Sequence, residues 1–322
     1  MGPAYAPVPT SAMRPIPLAA IVVLVTLEPA LPAQDTAYFT THSDLVVLHA
    51  TVTDRRSAYV NGLTADAFSV FEDGTPQEVR FFIGQDAPVS IGLVIDTSAS
   101  MIENRDRMIA AVTAFAQASH PHDEFFALAF TEDVRPVLPP DVPFTSDPLV
   151  LHAALTRAIG GHGRTALYDA VSAALDHVSR GSRQRKVLVV ISDGGDNASR
   201  TSLEAVLAKA RASNAVIYTI GLVDPLAQET NPAVLRRLSE ATGGRSFRPD
   251  SIDRVGDALR AIGADIRNGY TLGYVPDNGI TDGRFRRIRV VVRAEDGRML
   301  TVRTRAGYVA AANARPASEE RR

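Results

Sequence analysis

The chain has 322 residues, enough for about two domains and at least one full hydrophobic core. Its 34 Lys and Arg nearly balance 36 Asp and Glu, so it lacks the basic field that holds a phosphate backbone, and nucleic acid is not an expected partner. It contains no cysteine, which excludes disulfides, thiolate zinc sites, iron–sulfur clusters, cysteine nucleophiles and a lipidated N-terminal cysteine; a bound metal must use oxygen or histidine.

The first element is an uncharged apolar run of ten over 18–27 (LAAIVVLVTL), preceded by Arg14 and bracketed by Pro15, Pro17, Pro29 and Pro32. A bilayer needs about 20 such residues, so this run is too short to span one. A positive residue, an apolar run and then small residues ending at Ala33 follow the order of a secretory signal. The sequence thus predicts a signal peptide over 1–33, cleavage after Ala33, and export to the periplasm or beyond. Residues 1–12 carry no positive side chain, and a start at Met13 gives a more compact signal. No later apolar stretch has membrane length, so no transmembrane segment is expected in the mature chain.

The segment 35–87 is β-rich. A strand is predicted over 45–54 (LVVLHATVTD), and a hairpin over 68–83, in which Asp73-Gly74 supplies the positive φ of a tight turn before a second arm at 77–83 (QEVRFFI). After Pro88 short, wholly apolar strands alternate with helices. Strands are predicted over 91–95, 124–130, 187–191 and 216–221, and helices over 105–118, 148–159, 166–179, 202–213, 232–241 and 252–266. Strands that are apolar throughout belong to a sheet covered on both faces, so 88–267 is read as a doubly wound α/β domain with a mostly parallel sheet flanked by helices. β character returns over 268–310, with strands at 270–275, 284–293, 299–305 and 307–308. Neither β-rich segment can bury an apolar face alone, so the two are expected to pair as one small β-domain with the α/β domain inserted in it; two separate β appendages are the alternative. The tail 311–322 lacks periodicity and is expected to be disordered.

Candidate site residues cluster where strands end. The strand over 91–95 runs into Asp96-Thr97-Ser98-Ala99-Ser100, and in an extended loop Asp96, Ser98 and Ser100 point one way. A carboxylate with two hydroxyls is a hard-oxygen donor set, suited to Mg²⁺ or Mn²⁺. The strand over 187–191 delivers Ser192-Asp193-Gly194 to the same carboxyl edge, which places Asp193 opposite Asp96; this is where open α/β sheets bind ligands. Thr165, in a glycine-rich loop that opens a helix, offers a hydroxyl to a helix N-cap or to a metal. Each string alone is common in loops; their order and placement together are specific.

The set Asp96, Ser98, Ser100, Thr165 and Asp193 resembles the metal-ion-dependent adhesion site of the von Willebrand factor type A domain family, over about 89–266. The flanks resemble the secreted bacterial proteins of that family, through D-x₇-G-L-T-x-x-x-F-x-V-x-E-D-G at 54–74, G-R-F-R-R-I-x-V at 283–290 and R-x-G-Y at 305–308. The resemblance implies direct ligation by Ser98, Ser100 and Thr165, with Asp96 and Asp193 acting largely through water. It also implies Mg²⁺ (or Mn²⁺ or Ca²⁺) as the ion, and a protein ligand whose Asp or Glu carboxylate completes the shell. Arg164 stands where such domains often have glycine.

Catalysis is not expected. There is no H-E-x-x-H, no G-x-x-x-x-G-K-[ST] and no G-x-S-x-G; His120 and His122 lie on a loop, and His162 alone sits near Thr165. The run of Arg284, Arg286, Arg287 and Arg289 alternates with Phe285, Ile288 and Val290, as a strand with one solvated face does. Residues 196–199 are read as a turn into the next helix, with Ser199 or Thr201 as its N-cap. The function expected is an exported, metal-dependent binding module; a cell-envelope assembly protein whose metal only stabilises the fold, or a metal-dependent hydrolase, are the alternatives.

Overall fold

The computed structural model describes residues 45–97, 105–158, 163–222, 230–277 and 282–310. The signal and its cleavage site at 1–33, Ser98, Ser100, His162 and the tail 311–322 lie outside these residues.

Fourteen strands occur among the described residues, in two sheets. The central sheet holds β5 (Val89–Asp96), β6 (Glu124–Phe130), β7 (Val134–Pro136), β8 (Arg185–Ser192), β9 (Ala215–Gly221) and β10 (Ser246–Phe247) in the order β10-β9-β8-β5-β6-β7. All pairings are parallel except β6–β7. Every residue of β5, β6 and β9 is buried, which is why these strands read as unbroken apolar runs. At the middle of β5, Gly92 leaves room for the Phe126 ring and Leu188; a Cβ there would lie 2.3 Å from Phe126.

Among the described residues six α-helices cover this sheet: α1 (Arg105–Gln117), α2 (Pro148–Ala158), α3 (Leu167–Val178), α4 (Leu203–Ala212), α5 (Pro232–Glu240) and α6 (Val255–Arg267). The helices α3, α4 and α5 pack side by side in one row, and α1 contacts α2 and α6 in another. Their buried residues recur at three and four positions, as in Leu167, Ala170, Val171, Ala174, Leu175 and Val178 of α3. The fold is thus α/β and doubly wound. Two edge strands have no sequence signal: β10 is two residues long, and β7 ends in Pro136, which an edge strand tolerates and a central one does not.

The second sheet draws on both ends of the described chain. Its strands are β1 (Val46–Thr53), β2 (Phe68–Glu72), β3 (Thr75–Gln77), β4 (Phe81–Ile83), β11 (Gly269–Tyr274), β12 (Phe285–Arg293), β13 (Met299–Arg303) and β14 (Gly307–Val309). Their order is β3-β2-β12-β13-β1-β11-β4, with β14 on β12, and all pairings are antiparallel. The β2–β3 turn uses Asp73 and Gly74 at φ of 46° and 89°, the conformation a two-residue hairpin requires. The second hairpin arm differs from the expectation. Instead of one strand over 77–83, the chain leaves β3 after Gln77 and re-forms as β4, on the opposite edge of the sheet. Along β12, Ile288, Val290 and Val292 face the core while Arg287, Arg289 and Arg293 are exposed, and the Arg289 guanidinium lies 4.2 Å over the Phe71 ring.

Entry to and exit from the central sheet lie side by side, because β4 leads into β5 and α6 leads into β11, and β4 pairs with β11. The Asp86 amide donates to the Arg267 carbonyl, and the Arg267 guanidinium pairs with Asp123 at 3.0 Å and Asp86 at 3.3 Å. The flanking motifs are structural ties. Arg305 of R-x-G-Y is buried and donates from Nη2 to the carbonyls of Ser213 (2.8 Å), Arg211 (3.0 Å) and Ala210 (3.4 Å), which ties it to the C-terminal end of α4. Tyr308 of the same motif and Tyr274 both donate to Glu72 Oε2 of E-D-G, at 3.0 and 2.6 Å, inside the β-sheet core.

Candidate metal centre

The strands β5 and β8 are parallel neighbours in which Ile95 aligns with Ile191, so Asp96 stands level with Ser192 and Asp193 follows one residue beyond. Asp96 is buried, and its Oδ2 accepts a hydrogen bond from Ser192 Oγ at 2.8 Å. Ser192 Oγ in turn accepts from the Gly194 amide at 3.1 Å. Beyond Asp96, the Thr97 amide and hydroxyl both donate to the Phe130 carbonyl at the end of β6.

Asp193 begins a loop held in shape by its own side chain, since Oδ1 accepts from the Gly195 amide at 2.9 Å. Gly194 has φ of 85°, and a Cβ on it would lie 2.4 Å from the Asn231 carbonyl oxygen, so this position requires glycine.

The Thr165 loop is tied to both neighbours. The Ala166 amide donates to the Thr131 carbonyl at 2.7 Å, just past β6. On the other side, the Thr165 amide donates to Asn197 Oδ1 at 2.8 Å, while the Asn197 and Ala198 amides donate to the Thr165 carbonyl. Among the described residues no group hydrogen-bonds to the Thr165 hydroxyl, and Arg164 beside it is exposed. Thr165 is not the helix N-cap: α3 starts at Leu167, its N-cap is Ala166, and the polypeptide is anchored there by backbone bonds to Thr131.

Residues 196–201 do more than turn. Asp196 Oδ1 accepts from the Tyr168 amide and the Ser199 hydroxyl, Ser199 Oγ accepts from the Asp169 amide, and the Asp169 carboxylate accepts from the Arg200 and Thr201 amides. Burial alone would raise the Asp169 carboxyl, but the hydrogen bonds from Thr201 and Arg200 outweigh it and hold the group below its ordinary range. The N-cap of α4 is accordingly Ser202, which accepts from the Ala205 amide, not Ser199 or Thr201. Sequence reasoning missed Ser192, Asp169, Asp196 and Asn197. The signal was available in the S-D-G-G-D-N string, where every polar side chain except Asp193 reads as ordinary turn chemistry. Glu132 and Asp133 are exposed in the tight β6–β7 turn, where Asp133 lies 3.9 Å from Arg135.

The donors fit a hard divalent ion. Asp96 and Asp193 carry carboxylate oxygens and Thr165 a hydroxyl, with no sulfur or imidazole among them. Among the described residues no three His, Asp or Glu side chains gather as a metal cluster.

The described geometry is that of a doubly wound α/β domain, and the family comparison agrees. Residues 90–261 match the family model of the von Willebrand factor type A domain, and the chain belongs to that family. No curated protein matches it. Similar solved structures include the conserved hypothetical protein BatB from Bacteroides thetaiotaomicron, 17% identical over 55% of this chain and 97% of that one, with a TM-score of 0.46. A von Willebrand factor type A protein from Catenulispora acidiphila is 14% identical over 84% of this chain and 74% of that one, with a TM-score of 0.48. The proximal thread matrix protein 1 of the mussel byssus, solved with a zinc-occupied MIDAS motif, is 17% identical over 59% of this chain and 48% of its own, with a TM-score of 0.49. Among the described residues no helix is long and apolar enough to cross a membrane.

Proposed function

We propose that the chain is an exported protein-binding module that works through one divalent cation. Asp96, Ser98, Ser100, Thr165 and Asp193 hold Mg²⁺, with Mn²⁺ or Ca²⁺ as substitutes; the three hydroxyls ligate directly and the two aspartates act largely through water. With few direct carboxylates the ion keeps a high effective charge and an exchangeable position, and an Asp or Glu side chain of a partner protein fills it. Binding, not turnover, follows from this arrangement. In the same reading, the β-rich segments 35–87 and 268–310 form one small domain and the α/β domain of 88–267 is inserted in it, its two junctions fastened by Arg267.

The observation that carries the reading is the hydrogen-bonded convergence of three segments at one sheet edge. Asp96 is joined to the β8 end through Ser192, and Thr165 is joined to the Asp193 loop through Asn197. Family membership supports it.

The test is recovery of partner proteins from the source envelope fraction, with Mg²⁺ or with EDTA, by wild-type protein and by Asp96→Ala. The expected result is an acidic partner that elutes on chelation and is not recovered by Asp96→Ala. Equal recovery in EDTA, with only a lower melting temperature, would favour a structural metal in an assembly protein. Turnover of a hydrolysable substrate that vanishes with Asp193→Ala would favour an enzyme.

A further inference from the structure

A second polar centre lies away from the carboxyl edge, where β1 of the antiparallel sheet meets the amino ends of β8 and β9. A cavity of about 20 Å³ opens there, lined by Arg185, His49, Thr51, Tyr218 and Asp265 among others. It has room for one water-sized occupant. Arg185 is 4% exposed, and its Nη1 is buried without a hydrogen-bond partner. Among the described residues no carboxylate lies within ion-pair distance of it, although Asp123 and Asp86 act on it from farther away. A guanidinium buried in this way is a costly group unless something answers its charge.

The surroundings are biased toward positive charge. Arg185, Arg245, Arg267, Arg303 and Arg305 gather around the junction, against the carboxylates of Asp86, Asp123 and Asp265. Each of those carboxylates is already engaged by another arginine: Asp86 and Asp123 by Arg267, and Asp265 by Arg303 and Arg245. Arg305 hydrogen-bonds to carbonyl oxygens and, among the described residues, forms no ion pair. Burial, and then the charge of Arg267, lower the Arg185 guanidinium to about 10, still protonated at neutral pH.

Two hydroxyls complete a donor set. Thr51 Oγ1 accepts from Arg303 Nη2 at 3.1 Å, and the Tyr218 phenol also accepts from Arg303. Each therefore keeps its own proton to donate elsewhere. Arg185, Thr51 and Tyr218, three residues with donors to offer, thus line, together with the arginine-paired Asp265, a space too small for a carboxylate, sulfate or phosphate.

We propose that this cavity is a binding site for a single monatomic anion of the chloride class, held by Arg185 with Thr51 and Tyr218, which neutralises the buried arginine at the junction of the two sheets. The site is independent of the divalent-cation centre and shares no residue with it.

The experiment is twofold. Crystals of the protein soaked in bromide should show an anomalous peak within hydrogen-bond distance of Arg185 Nη1. In solution, moving from sodium gluconate to sodium chloride at equal ionic strength should raise the melting temperature by about 2–4 °C, the size expected of a ligand that binds only the folded state. Arg185→Met should abolish the chloride dependence. If that variant does not fold, Thr51→Val, which removes one donor and keeps the shape, should reduce it by about half. Equal melting temperatures in the two salts, or a water in place of an anomalous peak, would overturn the proposal.

Discussion

Asp265→Ala is expected to lose about 3–5 kcal/mol of stability and to lower the melting temperature by about 10 °C. Asp265 sits on α6 with a side chain only 1% exposed. Its Oδ1 accepts from the Tyr59 hydroxyl at 2.7 Å, and its Oδ2 faces Arg303 Nη2 at 2.7 Å and Arg245 Nη1 at 3.5 Å. The Oδ2 contacts are ion pairs without aligned hydrogen bonds, so their strength is coulombic. The group joins four parts of the chain: the loop after β1, the segment before β10, α6 and β13. Alanine would leave a half-buried Arg303 without its counter-charge and Tyr59 without its acceptor, and truncating one partner of a buried pair is the costly case. The double change Asp265→Leu with Arg303→Met removes both charges and should recover most of the loss. Urea unfolding of the three proteins gives the comparison. A loss below about 1 kcal/mol for Asp265→Ala would show that the network does not hold the two sheets together.

The second large effect is acid lability at His49. With no anion at Arg185, burial first, and then the positive charge of Arg185, push the His49 imidazole down from 6.5 to about 3, against the opposing hydrogen bond to the Asn214 carbonyl. The folded state therefore holds this ring neutral, while the unfolded chain protonates it near 6.5. Between about pH 6.5 and 3 the unfolded state binds the extra proton, so stability is full above 6.5 and falls as pH drops through that window. The ring keeps some solvent contact, which screens part of the effect, and the expected loss at pH 4.5 is about 2 kcal/mol. His49→Gln retains an amide donor for the Asn214 carbonyl and cannot titrate. It should flatten the acid limb of stability by that amount while changing stability little at pH 8. An unchanged slope between pH 7 and 4.5 would show that His49 is not kept neutral by the fold.

Much of the α/β domain was legible because of how a doubly covered sheet is built. Strands such as 124–130 are buried on both faces, so their position shows as an apolar run with no partner information needed. The helices showed through their stripe, as in α3. Pairing across the chain was not legible in the same way. Nothing local in Phe81–Ile83 says that it leaves Gln77 behind and joins β11, because register and neighbour are set by contacts nearly 190 residues away. The same holds for Tyr59, Arg245, Asp265 and Arg303, each of which reads as an ordinary surface residue in sequence and acquires its role only when four segments meet.

The candidate site divides along the same line. Asp96 and Asp193 stood out because each follows an apolar strand, and the end of a strand in an open sheet has a known address. The residues that hold the edge together, Ser192, Asn197, Asp169 and Asp196, sit in strings whose local turn chemistry looks complete without them. Of the two uses the sequence offers for the Thr165 hydroxyl, helix N-cap or metal ligand, the structure removes the first, since Ala166 is the N-cap of α3 and the Thr165 carbonyl is held by the amides of residues 197 and 198.

The most direct test of the central claim is calorimetric titration of Mn²⁺ into chelator-stripped protein, wild type beside Asp96→Ala and Thr165→Ala, with folding of each checked by melting. The account predicts one saturable ion per wild-type chain and no saturable binding in Asp96→Ala that remains folded, with Thr165→Ala weakened at least tenfold, about 1.4 kcal/mol. Equal, saturable Mn²⁺ binding by wild type and a folded Asp96→Ala, or none by wild type, would contradict it.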